Sequence, residues 1–332
     1  MITQSWIHLD REHNIIYINL NSEGGKIVKI SPGVDPEMVE NDLGLASNPS
    51  LSPFRYIPNV GEAEGFRALK ALLMDSAPMQ ISQQYFLICW AISAFLLPYF
   101  PDRILLQMFG NAGSGKSQTM ARLSMLFNGD VFYGQTIAAA GRMACVNPVL
   151  FMDNVDNLSA PVTDFLLFMA NSAHKPKAKA GNDIGVSFQK LNALCMITSI
   201  EPFPVNYPEL LNRSVALTTD RAAKKADYVA ESVLKSIRCD RDLMLSAIFK
   251  LIGKKVLPRL KRENYFWKEL IGQRYSGHGK ERMNDHLAVM ALILEALLEY
   301  LPYSPLAIAP TKMQAAILDQ WFEDWNEESV EA

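Results

Sequence analysis

The residues most able to do chemistry stand in one short segment, 110-GNAGSGKS-117. Their spacing satisfies G-x-x-x-x-G-K-S/T, which is typical of a loop that binds phosphate groups when a strand precedes it and a helix follows. The glycines let backbone amides turn towards the phosphates, the lysine reaches the outer phosphates and the serine ligates Mg²⁺. The sequence therefore predicts a site for ATP and Mg²⁺. Its expected contacts are Gly110, Asn111, Ala112, Gly113, Ser114, Gly115, Lys116, Ser117 and Gln118.

A carboxylate follows a second apolar run, 149-VLFMDNVD-156. This run reads as a buried strand that delivers Asp153 to the carboxyl edge of a sheet, where ligands bind in open α/β folds. A carboxylate there holds Mg²⁺, so Ser117 and Asp153 are the predicted metal ligands. The next residue, Asn154, cannot act as a base. Either Asp156 activates the attacking water, or Asn154 only orients it.

Three more polar residues flank predicted strands. The run 191-LNALCMITSI-200 ends in Thr198 and Ser199, whose hydroxyls can hydrogen-bond the attacking water or the γ-phosphate; an ordinary turn is the alternative. Arg213 precedes the run 214-SVALTT-219, at the far end of the sheet from its own phosphate loop. An arginine there reaches only a neighbouring subunit's nucleotide, as an arginine finger supplied in trans, unless it makes a surface salt bridge.

These positions require a parallel sheet covered by helices. Strand-like and helix-like runs alternate up to about residue 220, including a strand over 131–135 and a helix over 136–144. Residues 6–30 alternate apolar and polar positions around turn residues, as a small β-meander does. The predicted fold class is therefore α/β: a P-loop NTPase sheet between helices, with an N-terminal β-meander and a C-terminal all-helical lid.

The chain divides by composition into four parts. The predicted parts are residues 1–61, the meander and a connecting segment; 62–100, a helical element; 101–220, the P-loop ATPase core; and 221–332, the helical lid and a C-terminal helix.

The overall composition is that of a globular protein without a disulfide scaffold, a zinc site or a membrane span. The 332 residues carry a net charge of -3, so any contact with nucleic acid must come from a local patch. Four widely spaced cysteines argue against a disulfide scaffold or a zinc site. The apolar run 85–100 is short for a membrane span and is interrupted by Pro98, which favours a buried helix. With no apolar secretory segment at the N-terminus, the expected location is cytoplasmic and no membrane partner is expected.

A local basic patch is present at 174-HKPKAKAGNDIGVSFQK-190. Lys175, Lys177 and Lys179 alternate, so an extended chain would put all three on one face. A turn at residues 181–183 and an apparent return strand predict a hairpin whose lysines bind the phosphate backbone of nucleic acid. The alternative is a solvated surface loop.

The order of these motifs resembles a known group of proteins. The segments GNAGSGKS, LFMDNVD, MITS and PELLNRS, followed by helices, resemble the AAA+ ATPases. The meander ahead of the ATPase, the Asp-Asn-Val form of the acidic strand and the segment GHGKERMNDHLAVM are similar to the helicase-like ATPase module of phage and mobile-element primase-helicases. The resemblance covers roughly residues 5 to 300, and only the glycine loop is specific by itself.

This resemblance implies a homo-oligomer, a hexameric ring that hydrolyses ATP at subunit interfaces and acts on single-stranded or forked DNA, with a primase or other replication protein as a further partner. Lys116 and Ser117 match the Walker A residues and Asp153 the Walker B aspartate. Ser199 or Thr198 matches sensor 1, and Arg213 the arginine finger.

One match lies in the predicted lid. Arg282 resembles a sensor 2 arginine that touches the γ-phosphate from the lid, with Arg274 and Lys280 as rivals. The glutamate expected after Asp153 is missing. This departure leaves a second function open, a nucleotide-controlled regulatory or antiviral-defence ATPase whose partner is a protein.

Overall fold

A computed structural model describes most of the chain. It covers residues 5–49, 51–75, 77–129, 136–171, 174–178, 186–204, 206–223, 231–274, 281–302, 318–319 and 321. The strands at 174–178 and 186–190 are described by their backbone alone.

Ten strands and nine α-helices lie in these ranges. The strands are β1 (Ile7–Asp10), β2 (Ile15–Ile18), β3 (Ile27–Ile30), β4 (Glu37–Val39), β5 (Leu105–Phe109), β6 (Val149–Met152), β7 (His174–Ala178), β8 (Val186–Lys190), β9 (Leu194–Ser199) and β10 (Ser214–Thr218). The helices are α1 (Glu62–Leu73), α2 (Ile81–Ser93), α3 (Lys116–Asn128), α4 (Ile137–Val146), α5 (Ala160–Ala170), α6 (Pro208–Leu211), α7 (Glu231–Leu251), α8 (Leu257–Arg274) and α9 (Asn284–Leu298).

The N-terminal segment is the antiparallel meander that the alternating pattern predicts, in the order β1-β2-β3-β4. Asn14 and Asn21 adopt positive φ values of 59° and 56° at its turns. Asparagine tolerates this left-handed conformation better than most residues. The fourth strand lies in the proline-rich segment that the sequence analysis treats as a connection.

The central sheet is parallel, in the order β10-β5-β9-β6. Every residue of β6 and β9 is buried, as expected when helices cover both faces of a parallel sheet. Leu106 and Met108 of β5 face the core that includes α3. Leu105 faces the core that includes α4 and α5, as do Cys195, its partner on β9, and Leu150, the partner of Cys195 on β6. This alternation decides which side chains reach the phosphate loop.

The C-terminal helices share a core with the N-terminal half of the chain. Helix α7 packs so closely on α1 that a Cβ at Gly65 would lie 2.4 Å from the Ala247 Cβ. A π-helical turn at Ile252–Val256 meets the meander, where the Gly33 amide donates to the Gly253 carbonyl at 2.9 Å. Described residues from all four predicted parts contribute to this core, and the division into parts stays a prediction.

The apolar run is a buried helix, as predicted. The stretch Ile81–Tyr99, which is α2 continued by a 3₁₀ segment around Pro98, has the length and apolar character of a membrane span. Of its most apolar window, 83% is buried inside the fold. The described part of the chain has no cluster of three or more potential metal-binding His, Cys, Asp or Glu side chains, and its four cysteines form no disulfide bond with one another. The predicted strand over 131–135, together with Lys179 and Lys280, lies outside the described residues.

Candidate nucleotide site

The segment 110–117 connects β5 to α3 at the carboxyl edge of the parallel sheet. Gly110, Gly113 and Gly115 have φ values of 144°, 78° and 104°, a region that is open to glycine and costly for other residues. A Cβ on Gly110 would lie 2.5 Å from the Thr219 carbonyl oxygen, so this position also requires glycine for space. The loop therefore has the left-handed turns and the helix N-terminus that make an anion-binding concavity.

Lys116 is the cation of this concavity. Its side chain is largely buried, and Nζ donates to the carbonyls of Gly110 and Asn111. Burial lowers the pKa of Lys116, and the negative charges of Asp156 and Asp153 oppose this shift. Both carboxylates therefore lie close enough to the lysine to act on it.

Ser117 and Asp153 meet as the sequence predicts, because β6 ends beside the start of α3. Ser117 Oγ donates to Asp153 Oδ1 at 2.9 Å, and Thr198 Oγ1 donates to the same oxygen. A serine hydroxyl beside a carboxylate gives the oxygen ligands that Mg²⁺ prefers. These residues therefore fit the metal that a phosphate loop requires.

The structure separates Ser199 from Thr198 at the end of β9. Ser199 lies on the opposite face of the sheet from Asp153, where its Oγ donates to the Glu201 carbonyl and accepts from Gln107 at 2.7 Å. Successive residues of a strand point to opposite faces, so Thr198 takes the position beside Asp153. Thr198, the alternative that the sequence left open, is the residue that geometry favours.

Asn154 changes the direction of the chain after Asp153. It has a left-handed φ of 56°, and its amide donates to Thr198 Oγ1 at 2.9 Å. Two residues later, Asp156 Oδ1 accepts from the Ile200 amide at 2.7 Å. The turn thereby brings a second, exposed carboxylate to the same edge, near Lys116.

Thr219 braces the phosphate loop from the side of β10, and sequence analysis missed it. Its hydroxyl hydrogen-bonds Ser114 Oγ at 2.7 Å and donates to the Phe109 carbonyl at 3.0 Å. Both hydroxyl-bearing residues are buried. A strand-end threonine carries no local signal of such a contact, because the contact depends on β10 pairing with β5.

We expect Thr219→Val to weaken ATP binding roughly fivefold, equivalent to about 1 kcal/mol, because the hydrogen bond that holds Ser114 in the phosphate loop is lost. Valine keeps the shape and removes the hydroxyl that holds Ser114. Isothermal titration with Mg²⁺-ATP measures the change. Thr219→Ser keeps the hydroxyl and serves as the matched control; equal affinities for the valine and serine variants would contradict the assignment.

Arg213 lies at the amino edge of the sheet, opposite its own phosphate loop. The Leu105 amide at the start of β5 donates to the Arg213 carbonyl at 2.9 Å. Its Nε donates to Asn171 Oδ1 at 3.0 Å and its Nη1 to the Glu209 carbonyl at 2.7 Å. Within the described part of the chain Nη2 makes no hydrogen bond, so the guanidinium is held in place by its other two nitrogens.

The structure does not support contact between Arg282 and its own phosphate loop. Burial lowers the pKa of Arg213, and the charge of Arg282 adds to this shift. Burial likewise raises the pKa of Asp102 while Arg282 and Arg213 oppose it. Arg282 therefore lies with Arg213 at the amino edge.

The reason for this placement is the start of α9. His286, which is fully buried, accepts from the Ile104 amide at 3.0 Å and stacks on Phe100 at 4.0 Å between ring centroids. This anchor attaches the helix to the amino end of β5, so Arg282 cannot reach the carboxyl end.

The basic segment does form a hairpin in its backbone. Strands β7 and β8 pair antiparallel, with Lys175 opposite Gln189 and Lys177 opposite Ser187. The hairpin follows α5, whose last residue, Ala170, accepts from the Arg103 amide just before β5. It therefore starts from the amino edge of the sheet, and its role in binding nucleic acid stays a prediction.

Comparison with solved structures shows the fold. The chain superposes on the active helicase Cch of SCCmec type IV with a TM-score of 0.53 and 13% identity, covering 92% of this chain and 60% of that one. The match shows a helicase-like P-loop fold. The chain spans about three fifths of the length of that solved structure.

Two further solved structures match less closely. The C-terminal region of NrS-1 gives a TM-score of 0.38 with 11% identity, over 88% of this chain and 87% of that one. A full-length MCM homolog from Methanopyrus kandleri gives 0.40 with 11% identity, over 90% and 76%. No protein-family model matches this sequence, and neither does any curated protein.

Proposed function

We propose that this protein is an ATP-hydrolysing motor that acts on DNA, a helicase or helicase-like ATPase in the replication of a phage or mobile element. One observation carries the proposal: Ser117, Asp153 and Thr198 share a hydrogen-bonded cluster beside Lys116, at the carboxyl edge of a parallel sheet. This arrangement supports hydrolysis because each group has a role in phosphoryl transfer.

Each residue of this cluster has a separate role in ATP hydrolysis. Lys116 binds the outer phosphates, and Ser117 and Asp153 would hold Mg²⁺, which would supply positive charge to the phosphate oxygens. Asp156 accepts the proton of the attacking water, since Asn154 has no basic atom. Thr198 fixes the orientation of Asp153 and, through the Asn154 amide, the turn that carries Asp156.

The active unit in this proposal is an oligomer, a hexameric ring. Arg213 and Arg282 lie at the sheet edge opposite their own phosphate loop, so they can stabilise only the γ-phosphate of a neighbouring copy. An arginine supplied in trans is a large contributor to turnover in P-loop enzymes. Cch is an active helicase, which supports a motor built on this fold.

The lysine hairpin is the proposed contact with DNA, and it gives the test of motor function. We expect single-stranded DNA to stimulate ATP turnover of the wild-type protein. Lys177→Ala combined with Lys179→Ala should remove this stimulation, because backbone phosphates lose their cationic partners, while affinity for ATP stays unchanged. A coupled ATPase assay with and without DNA at several salt concentrations measures both quantities.

A matched control removes two lysines elsewhere. Lys26 and Lys70 pair with acidic side chains away from the hairpin, so Lys26→Ala combined with Lys70→Ala lowers net charge equally. Turnover that ignores DNA in the wild-type protein, yet rises with a protein partner, would favour the regulatory ATPase instead.

A further inference from the structure

The lysine hairpin formed by β7 and β8 joins the rest of the chain through two short segments, which we call its roots. The leading root is the end of α5, at Ala170, and the trailing root is residues 191–193, between β8 and β9. All three residues of the trailing root are buried, and none belongs to a helix or a strand. Their backbone groups therefore need hydrogen-bond partners from elsewhere in the fold.

One buried residue, Arg103, binds both roots. Its amide donates to the Ala170 carbonyl at 2.7 Å. Its guanidinium Nη1 donates to the carbonyls of Leu191 at 2.6 Å and of Ala193 at 3.2 Å. The backbone of Arg103 thus holds the leading root and its side chain holds the trailing root, so this residue fixes the position of one root relative to the other.

The electrostatic setting of Arg103 shows that it is not an ion-pair partner. Burial lowers the pKa of Arg103 to about 9, and among the described residues no carboxylate opposes this shift. Its Nε also makes no hydrogen bond within the described part of the chain. A buried cation of this kind costs free energy, and an apolar side chain of similar volume would avoid that cost. Such a side chain could not bind the two carbonyls of the trailing root, which is the contribution that arginine makes here.

The segment that carries Arg103 is firmly attached to the core. The next residue is Ile104, whose amide donates to His286 Nδ1 at 3.0 Å and whose carbonyl accepts from Trp90 Nε1 at 3.0 Å. Buried side chains of α9 and α2 therefore hold both of its backbone groups. Strand β5 begins at the following residue and ends at the phosphate loop. The roots are thus bonded to the amino end of the strand whose carboxyl end leads into the nucleotide site.

The segment ahead of β1 gives the trailing root a second attachment. Trp6 Nε1 donates to the Asn192 carbonyl at 2.7 Å, and Asn192 Nδ2 donates to Ser5 Oγ at 2.7 Å. The Asn192 amide donates to the Ala144 carbonyl at 2.7 Å. Each of the three successive carbonyls of the trailing root therefore accepts a hydrogen bond from a side chain that is distant along the chain.

We propose that Arg103, assisted by Trp6, is a positioning residue for the lysine hairpin: it holds the roots so that the hairpin meets the phosphate backbone of DNA in one orientation. The proposal rests on the proposed function, in which this hairpin contacts DNA. Strands β7 and β8 form a two-stranded sheet of their own, which is marginally stable without support. A site held in its binding arrangement loses less conformational freedom on binding, so firm roots raise the affinity for DNA.

Hydrogen exchange tests the hold on the roots. Arg103→Met keeps a long side chain and removes the donors, and Trp6→Phe keeps an aromatic ring and removes the N–H. We expect the amides of β7 and β8 to exchange at least about tenfold faster in Arg103→Met and about threefold faster in Trp6→Phe, because local opening becomes easier. Mass spectrometry of peptides that cover the two strands measures these rates without nucleotide or DNA.

Arg241→Met is the matched control. Arg241 is a buried arginine that also binds backbone carbonyls, those of Leu126 at 3.1 Å and Phe127 at 3.2 Å near the end of α3. Its loss removes a buried guanidinium away from the hairpin, so β7 and β8 should exchange at the wild-type rate. Equal acceleration in the Arg241 and Arg103 variants would overturn the proposal, as would wild-type exchange in both Arg103→Met and Trp6→Phe.

A second measurement separates positioning from a general loss of stability. For Arg103→Met, the concentration of single-stranded DNA that gives half-maximal stimulation of turnover should rise at least about fivefold. ATP affinity in calorimetry should keep the wild-type value, because Arg103 lies at the opposite end of β5 from the phosphate loop. Faster hairpin exchange with an unchanged half-maximal DNA concentration would overturn the positioning role. Wild-type turnover that ignores DNA would instead overturn the proposed function, and the exchange rates would still test the hold of Arg103 on the roots.

Discussion

Arg213→Ala should reduce ATP turnover about a thousandfold or more while leaving the affinity for ATP unchanged. The magnitude is that of an arginine finger in P-loop enzymes. The affinity is spared because Arg213 lies at the amino edge of the sheet and its own nucleotide binds at the carboxyl edge. Steady-state turnover and fluorescence titration with a labelled nucleotide measure the two effects separately.

A mixture shows that the arginine acts between copies. Lys116→Ala removes the phosphate-binding cation but keeps Arg213, so an Arg213→Ala copy beside it has an intact loop and an intact neighbouring arginine. The mixture should regain part of the wild-type rate, although each variant alone is inactive. No recovery from two stably folded, assembling variants would count against action in trans.

Asp156→Asn should reduce turnover by about 100-fold to 10,000-fold, the range of general-base contributions. Asparagine keeps the hydrogen bond from the Ile200 amide, so the turn survives and only the basic oxygen pair is lost. ATP affinity should change little. Single-turnover hydrolysis under saturating Mg²⁺-ATP isolates the chemical step.

Asn154→Gly is the matched control for this variant. Glycine accepts the left-handed conformation of residue 154 at low cost and removes the amide side chain. If Asn154 only shapes the turn, the glycine variant keeps near-wild-type turnover. A collapse of turnover in Asn154→Gly together with full activity in Asp156→Asn would reverse the two assignments.

The sequence predicts the features that depend on local backbone chemistry. The loop at 110–117, the strand ending in Asp153 and the meander follow from glycine spacing and from alternation. The sequence leaves Thr198 and Ser199 as alternatives, because the choice depends on which face of β9 meets α3. Because a buried parallel strand is apolar on both faces, its sequence does not show which residues point to which face.

Tertiary packing explains the other differences. Arg282 is placed by the anchor of His286 on β5, a contact between residues 182 positions apart along the chain. Thr219 reaches Ser114 across 105 positions. Neither separation leaves a pattern in the neighbouring residues, so a single sequence cannot reveal these contacts.

Strand β10 has a residue of importance at each end. Arg213 immediately precedes the strand and Thr219 immediately follows it. The five residues between them span about 17 Å, at roughly 3.3 Å per residue. One end braces the chain's own nucleotide loop, and in the proposed assembly the other serves the adjacent molecule. A mutation that bends this strand would therefore disturb two sites at once. A small fraction of mutant chains would then inhibit the oligomers that contain them, which is a dominant-negative effect.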